Sequence, residues 1–283
     1  MYEFRVIHVD QIVDCVARLC IQANTILPTT VQGWVRSACE GEHYAPAREF
    51  LALMQENARA AEQEHLPICQ DTGMAVVYAD IGQDVHIVGG SLEAAVNAGV
   101  KRGYEEGFLR KSVVVDPIRR GNTGDNTPAV LHTRMIDGNR VKLTVAPKGF
   151  GSENMSRLQM LTPADGLDGV RAFVVETARL AGANPCPPMV LGVGIGGTFE
   201  RVAELAKETL TELREGPHPD PFYAKLEEEL LEEINGLGIG PQGFGGRTTA
   251  LAVRVKVFPT HIAGLPVAVN VGCHVTRHAE EWV

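Results

Sequence analysis

The chain has no C-x-x-C pair, no apolar run of membrane-spanning length and no excess of basic charge. Its six cysteines are Cys15, Cys20, Cys39, Cys69, Cys186 and Cys273. None is spaced as in a zinc ribbon or a thioredoxin motif. A disulfide framework is not expected in a cytosolic chain of 283 residues. No apolar stretch reaches the ~18 residues of a membrane span, and the first ten residues carry an acid early and lack a signal-peptide core. The expectation is a cytoplasmic protein with no membrane partner. The net charge of −9 argues against nucleic acid, which needs a basic face. It leaves room for a small anionic substrate, because a local arginine cluster can sit within an acidic surface. No internal repeat, low-complexity tract or linker is visible, so residues 1–283 read as a single domain.

What is present reads in order as helices, then a mixture. Asp10 can cap a helix whose apolar face is Ile12, Val13, Val16 and Leu19. A second helix starts near Thr30 with Val31, Trp34 and Val35 inward, and a third runs from about Ala45 to Glu64. Residues 1–64 are therefore expected as a helical N-terminal segment. Met74 to Tyr78 reads as a short buried strand, and Ser91 caps a helix ending at Gly107. Val113–Val115 reads as a short strand entering a polar loop. Ala129–Ile136 and Arg140–Val145, joined by Asp137-Gly138-Asn139, carry a hairpin signal. Helices over Gly166–Ala181, Phe199–Leu213 and Asp220–Ile234 follow, then strands over Thr249–Phe258 and Pro266–Val271. Residues 236–247 hold six Gly and one Pro, too many for a regular element. The fold class expected is α+β: a helical N-terminal region, then a mixed α/β domain whose small sheets carry the loops bearing Cys69, Cys186 and Cys273.

The chemistry concentrates at Leu66-Pro67-Ile68-Cys69-Gln70-Asp71-Thr72-Gly73. A thiol, an amide and a carboxylate are adjacent on a turn backed by an apolar strand, a rigid mount for reactive groups. The same types also serve as core filler (Cys69) and turn former (Asp71). Pro147-Lys148-Gly149-Phe150-Gly151-Ser152-Glu153-Asn154 offers backbone N–H groups, a Lys and a Ser, which suits an anion and equally an ordinary turn. Gly192-Val193-Gly194-Ile195-Gly196-Gly197 imitates a dinucleotide fingerprint, but the region about twenty residues on is Gly216-Pro217-His218-Pro219-Asp220-Pro221, a proline-rich break in place of a strand ending in an acid. Those glycines can instead let backbone pass close to a ligand, with the next helix offering its N-terminus to an anion.

Cys15, Cys20 and Cys39 lie in helical patterns and read as core fillers. Cys69, Cys186 and Cys273 sit in loops beside Pro, Gly or His, 117 and 87 residues apart. Structural zinc sites use close pairs, whereas an iron–sulfur cluster does not require them. Three thiolates on a four-iron cluster would leave one iron open to act as a Lewis acid.

Six stretches, in order, resemble the α subunit of the two-subunit class I, iron–sulfur fumarate hydratases, a family shared with L-tartrate dehydratase. They are Ile68–Gly73, Asn122–Ala129, Ala146–Asn154, Asn184–Pro188, Gly192–Thr198 and Thr260 through Cys273. The resemblance implies a [4Fe–4S] cluster on Cys69, Cys186 and Cys273. It implies Gln70 and Asp71 as a substrate-contacting pair, with Asp71 transferring a proton. Arg110 falls where the family binds a carboxylate, Gly149 and Gly151 where backbone N–H groups meet the substrate, and His261, twelve residues before Cys273, where a His contacts it. The implied activity is hydration of fumarate to L-malate, with L-tartrate dehydration as the neighbouring alternative. A non-catalytic cluster-binding protein is the alternative from another class. The GFGSENMS stretch resembles the fumarase α subunits. Single-chain members continue into a second domain with further substrate-binding residues, so a separate β subunit, in an α2β2 assembly, is the implied partner. Cys69, Asp71 and Cys273 are then expected to be accessible, with an apolar patch nearby.

Overall fold

The computed structural model describes residues 4–283; Met1–Glu3, part of the stretch read as lacking a signal-peptide core, lie outside the described residues. The chain begins with β1 (Arg5–His8), α1 (Val9–Thr25), α2 (Thr29–Gly41) and α3 (Ala45–Glu64). Then come β2 (Met74–Gly82), β3 (Val85–Val88), α4 (Leu92–Glu106), β4 (Val130–Ile136) and β5 (Val141–Lys148). Next are the single turn α5 (Phe150–Glu153), β6 (Arg157–Leu161), α6 (Gly166–Ala181), β7 (Met189–Gly196) and α7 (Phe199–Glu208). The chain closes with α8 (Pro221–Asn235), β8 (Ala250–Phe258), β9 (Leu265–Gly272) and β10 (Ala279–Trp282). The fold is mixed α+β, with helices predominating before residue 65. β1 is an addition to the helical reading: its four residues pair in parallel with β3. The α1 cap is His8, whose Nδ1 accepts from the Asp10 N–H at 3.3 Å, so Asp10 lies inside the first turn.

Two compact units divide the chain, interleaved in sequence: residues 1–28, 58–150 and 277–283 form the first, residues 29–57 and 151–276 the second. The helical opening segment is thus shared between units, with the residues of α3 split at 57/58.

In the first unit a four-stranded sheet has the order β10-β5-β2-β4. The hairpin expected between β4 and β5 does not form, because β2 lies between them, parallel to β4 and antiparallel to β5. Ala75, Val77 and Ala79 of β2 are fully buried, and Val76 and Tyr78 on its other face are buried too, so the strand takes a central place. The Asp137-Gly138-Asn139 turn spans the end of β2: Asp84 N–H donates to the Gly138 carbonyl and Gly82 N–H to that of Arg140. Val113–Val115 likewise forms no strand of the sheet; Val114 bridges Asn122 in a local loop. Ile12, Val16 and Leu19 of α1 and Val96, Val100 and Tyr104 of α4 close the core over Val77, Leu143 and Val145.

In the second unit the sheet order is β6-β9-β7-β8. Leu191 and Val193 of β7 face α6 and α8, whose Phe173, Val174, Leu226, Leu230 and Ile234 complete that core. The alternate residues Gly192 and Gly194 face α7. The fingerprint-like glycines therefore belong to a strand interior, where they admit a helix. A Cβ on Gly192 would lie 2.1 Å from the Ala206 carbonyl oxygen, and one on Gly194 would lie 2.4 Å from that of Val202. α7 stops at Glu208, short of Leu213, because the Thr209 and Thr211 hydroxyls donate to the Ala206 and Glu208 carbonyls at 2.8 and 2.9 Å.

Gly194→Ala should destabilise the chain by about 1–3 kcal/mol by overpacking and lower its thermal midpoint in calorimetry. Gly216→Ala, where an added methyl meets nothing within 4 Å, should leave the midpoint unchanged. Equal midpoints for both variants would show that α7 can retreat without cost.

Candidate functional site

Residues 69–73 form a tight turn entering β2, and its last three carbonyls, those of Asp71, Thr72 and Gly73, are each met by a side chain. Ile68 N–H donates to the Asn24 carbonyl at 2.9 Å. The Thr72 hydroxyl donates to the Arg110 carbonyl at 2.9 Å. The buried Tyr104 hydroxyl reaches the Thr72 and Gly73 carbonyls at 2.6 and 3.1 Å. Asn126, fully buried, donates its Nδ2 to the Gly73 carbonyl at 3.2 Å and accepts from Ser112 N–H at 2.7 Å. Gly73 is required here: its φ is +73°, and a Cβ would lie 2.7 Å from the Lys148 backbone. Burial pushes the Tyr104 phenol well above its ordinary pKa, with the Cys20 thiol adding to the shift and Arg277 opposing it. Tyr104 is accordingly a donor that stays protonated. Removing one such partner from a buried carbonyl costs about 1–3 kcal/mol.

Within this frame the Asp71 carboxylate is fixed at both oxygens. Oδ1 accepts from Gly73 N–H at 3.0 Å and Oδ2 from Phe150 N–H at 2.9 Å. Gly149 packs against it so closely that an added Cβ would sit 3.0 Å from Oδ2. The Asp71 N–H donates to the Cys69 sulfur at 3.4 Å. The first unit therefore brings together Cys69, Asp71, Gly149 and, through its carbonyl, Arg110. Gln70 and the Arg110 side chain are exposed beside the turn.

The second unit gathers Cys186 and Cys273. β7 and β9 are antiparallel with Val190 opposite Gly272, so the residues preceding β7 and following β9 lie at the same end of the sheet. The ring Nδ1 of His274 lies 2.9 Å from the Cys186 carbonyl oxygen; a carbonyl only accepts, so Nδ1 carries the proton. Cys186 takes a left-handed φ of +55°. The glycine-rich stretch finds its use here. It folds into a tight turn at Pro241–Gly243 and sends Gln242 to the Pro187 carbonyl, with N at 2.8 Å and Nε2 at 3.0 Å. The Cys273 sulfur accepts from Val275 N–H at 3.3 Å. Gly151 lies in the single turn α5, where Glu153 receives Lys207 and, at 2.8 Å, Asn270 Nδ2.

His261 is not brought to this pair. It is exposed in the β8–β9 connection, with its Nδ1 accepting from Ala263 N–H at 3.2 Å. The eight residues of β9 separate it from Cys273, about 25 Å of extended chain.

The cysteines divide by environment. Cys15 and Cys20 are buried in the first core, and burial pushes both thiols up to about 12. Cys69 and Cys273 are half-buried and Cys186 is exposed. No two cysteines form a disulfide. Among the described residues no group of three His, Cys, Asp or Glu side chains could hold a single metal ion. In each unit a loop thiol accepts a backbone N–H at sulfur, Cys69 from Asp71 and Cys273 from Val275, a donor chemistry of the kind iron–sulfur thiolates use. No helix among the described residues is long and apolar enough to cross a membrane. Exposed apolar side chains of the first unit include Phe108, Val115 and Ile118.

Sequence reasoning missed Arg277, Tyr104, Asn126 and Gln242. Tyr104 carried only a core-helix signal, and Asn126 sat unremarked inside a motif. The other two carried none, since their roles depend on register and loop path.

A family model described as Fumarate hydratase (Fumerase) matches residues 13–281. A Methanocaldococcus jannaschii protein named "Putative L(+)-tartrate dehydratase subunit alpha" is 39% identical over 278 residues, 95% of this chain and 96% of that protein. The L(+)-tartrate dehydratase subunit alpha of Escherichia coli strain K12 is 29% identical over 272 residues, 95% of this chain and 89% of that protein.

Alkylation of the metal-free chain with iodoacetamide at pH 8 should label Cys186 first. Cys15 and Cys20 should stay unlabelled until unfolding, because a thiol with a pKa near 12 is about one part in ten thousand thiolate at that pH. Mass spectrometry of the peptides reads this directly. Early labelling of Cys20 would contradict the burial described.

Proposed function

This chain belongs to the fumarate hydratase (Fumerase) family, and on that premise we propose that it is the α subunit of an iron–sulfur hydro-lyase that reversibly hydrates fumarate to L-malate. The observation that carries the reading is the Asp71 carboxylate, two residues from Cys69 and held at both oxygens by the Gly73 and Phe150 amides. Cys69, Cys186 and Cys273 are the ligands we assign to a [4Fe–4S] cluster, whose chemistry when bound is Lewis acidity toward a substrate hydroxyl. Asp71 is the proton-transfer group of this chain. Each of its oxygens accepts one N–H and keeps a lone pair for a proton, and the two amides fix where that proton is given or taken. Gln70 and the Arg110 guanidinium, both exposed beside the turn, are assigned to one substrate carboxylate, with the Gly149 and Gly151 backbone.

A dicarboxylate needs cationic partners at both ends and proton-transfer groups on both faces of the bond being made. This set accounts for one end and one face. The remainder is assigned to a separate β subunit, a reading favoured by the "subunit alpha" in the names of the relatives. Closing the site against the β subunit would also exclude water. The names of those relatives favour a second substrate, L-tartrate. Malate and tartrate differ by one hydroxyl, so one polar contact decides between them.

The assay is turnover of fumarate, L-malate and L-tartrate by the reconstituted α–β complex. Fumarate hydration with little action on tartrate is expected, and preference for tartrate would replace the substrate. Asp71→Asn, with cluster content unchanged, should lower kcat by about 10²–10⁴. Undiminished turnover would remove Asp71 from the chemistry. The α chain alone should be inactive, and full turnover without β would show that the site is complete in one chain.

Anaerobically reconstituted α chain should be brown and hold about four irons. Cys186→Ser should lose most of that iron, and colourless wild-type protein would end the cluster assignment.

A further inference from the structure

The Cys69–Gly73 turn has one partner that the proposed chemistry does not use. Arg277 is 5% exposed and donates from Nη2 to the Asp71 carbonyl at 2.5 Å. Among the described residues no carboxylate pairs with it, and its Nε is buried without an acceptor. Two other arginines, by contrast, meet a carboxylate: Arg254 lies against Glu227, and Arg134 is bidentate to Asp80. A guanidinium kept in the interior on a main-chain carbonyl carries a desolvation cost. The neighbouring Thr72 and Gly73 carbonyls are met by the neutral donors Tyr104 and Asn126 without that cost.

What Arg277 offers instead is a long planar donor, and the sheet delivers it. β10 begins at Ala279, opposite Val145 of β5, and β5 ends at Lys148, opposite Met74 at the start of β2. One end of one sheet thus presents Arg277 from β10, the Phe150 amide from β5 and Asp71 from β2. We propose that Arg277 is a positioning residue for the hydration reaction. Its bond to the Asp71 carbonyl fixes the peptide plane from which the carboxylate hangs, and so keeps Oδ1 and Oδ2 on the Gly73 and Phe150 amides. This rests on the reading of Asp71 as the proton-transfer group.

Two measurements test it, one independent of activity. In the assembled α–β enzyme, Arg277→Met should lower kcat about 100-fold, the loss that follows a misplacement of ~1 Å. KM for L-malate should move by no more than about threefold, since no substrate contact is removed. Arg277→Lys keeps a charge and a donor without the planar fork, and should turn over about tenfold faster than the Met variant. In the α chain alone, hydrogen exchange of the Gly73 and Phe150 amides should accelerate in Arg277→Met while α6 and α8 exchange as in the wild type. An unchanged kcat, or unchanged protection of those two amides, overturns the proposal. If circular dichroism shows the Met variant unfolded, the Lys variant decides: wild-type kcat together with wild-type exchange overturns the proposal, and a loss in both supports it. A wild-type complex inactive on every dicarboxylate would count against the hydro-lyase reading, and the exchange result would still judge Arg277.

Discussion

The Cys69–Gly73 turn depends on how three successive carbonyls, those of Asp71, Thr72 and Gly73, are satisfied without a regular ladder. They point into the unit where α1, α4 and the start of β2 meet, and each is met by a side chain: Arg277, Tyr104, and Tyr104 with Asn126. With these carbonyls and the Thr72 side chain turned inward, the remaining side chains of the turn face outward. Gln70 is accordingly exposed, Cys69 half-buried, and Asp71 turned along the surface to the Gly73 and Phe150 amides. The buried donors thus convert a turn that could sit in many ways into one that displays a thiol, an amide and a carboxylate in fixed order.

The second unit reaches a similar end by different means. Cys186 and Cys273 come together because β7 and β9 are antiparallel neighbours, and the loops are then joined by His274 on the Cys186 carbonyl. The glycines of β7 contribute from a distance. They let α7 sit down on one face of the sheet while α6 and α8 cover the other, which leaves β7 buried along its whole length. A strand buried on both faces has little freedom to slide, so the loops at its end inherit its register.

Much of this was legible in the chain. The helices of the opening segment, the Ser91 cap and strands β8 and β9 follow from periodicity and turn chemistry, which are local. The order of strands is not local. Asp137-Gly138-Asn139 reads as a hairpin turn, and it is a turn, but it spans β2, a strand fifty residues earlier whose two apolar faces claim the centre of the sheet. Gly192 and Gly194 read as a loop fingerprint because sequence does not tell close approach to a ligand from close approach to a helix. Of the proposed site residues, Cys69, Asp71, Cys186 and Cys273 stand out in the sequence through their turn-forming neighbours. Arg277 did not, since nothing near residue 277 signals a carbonyl two hundred residues away. His261 rests on the motif alone: it stands in the β8–β9 connection, at the other end of β9 from Cys273.

The charges around the turn fit the chemistry assigned to it. The chain carries a net charge of −9, yet the partners of the Cys69–Gly73 turn are two neutral side chains, main-chain amides and one guanidinium. Asp71 is the one carboxylate among them. The anionic cluster and dianionic substrate proposed above require other carboxylates to be kept away, because like charges repel strongly where water is excluded. Neutral donors hold the backbone without adding charge, and Arg110 and Arg277 add it with the favourable sign. The single acid is then set apart from its surroundings by charge as well as by geometry, which suits a group whose task is to give and take one proton.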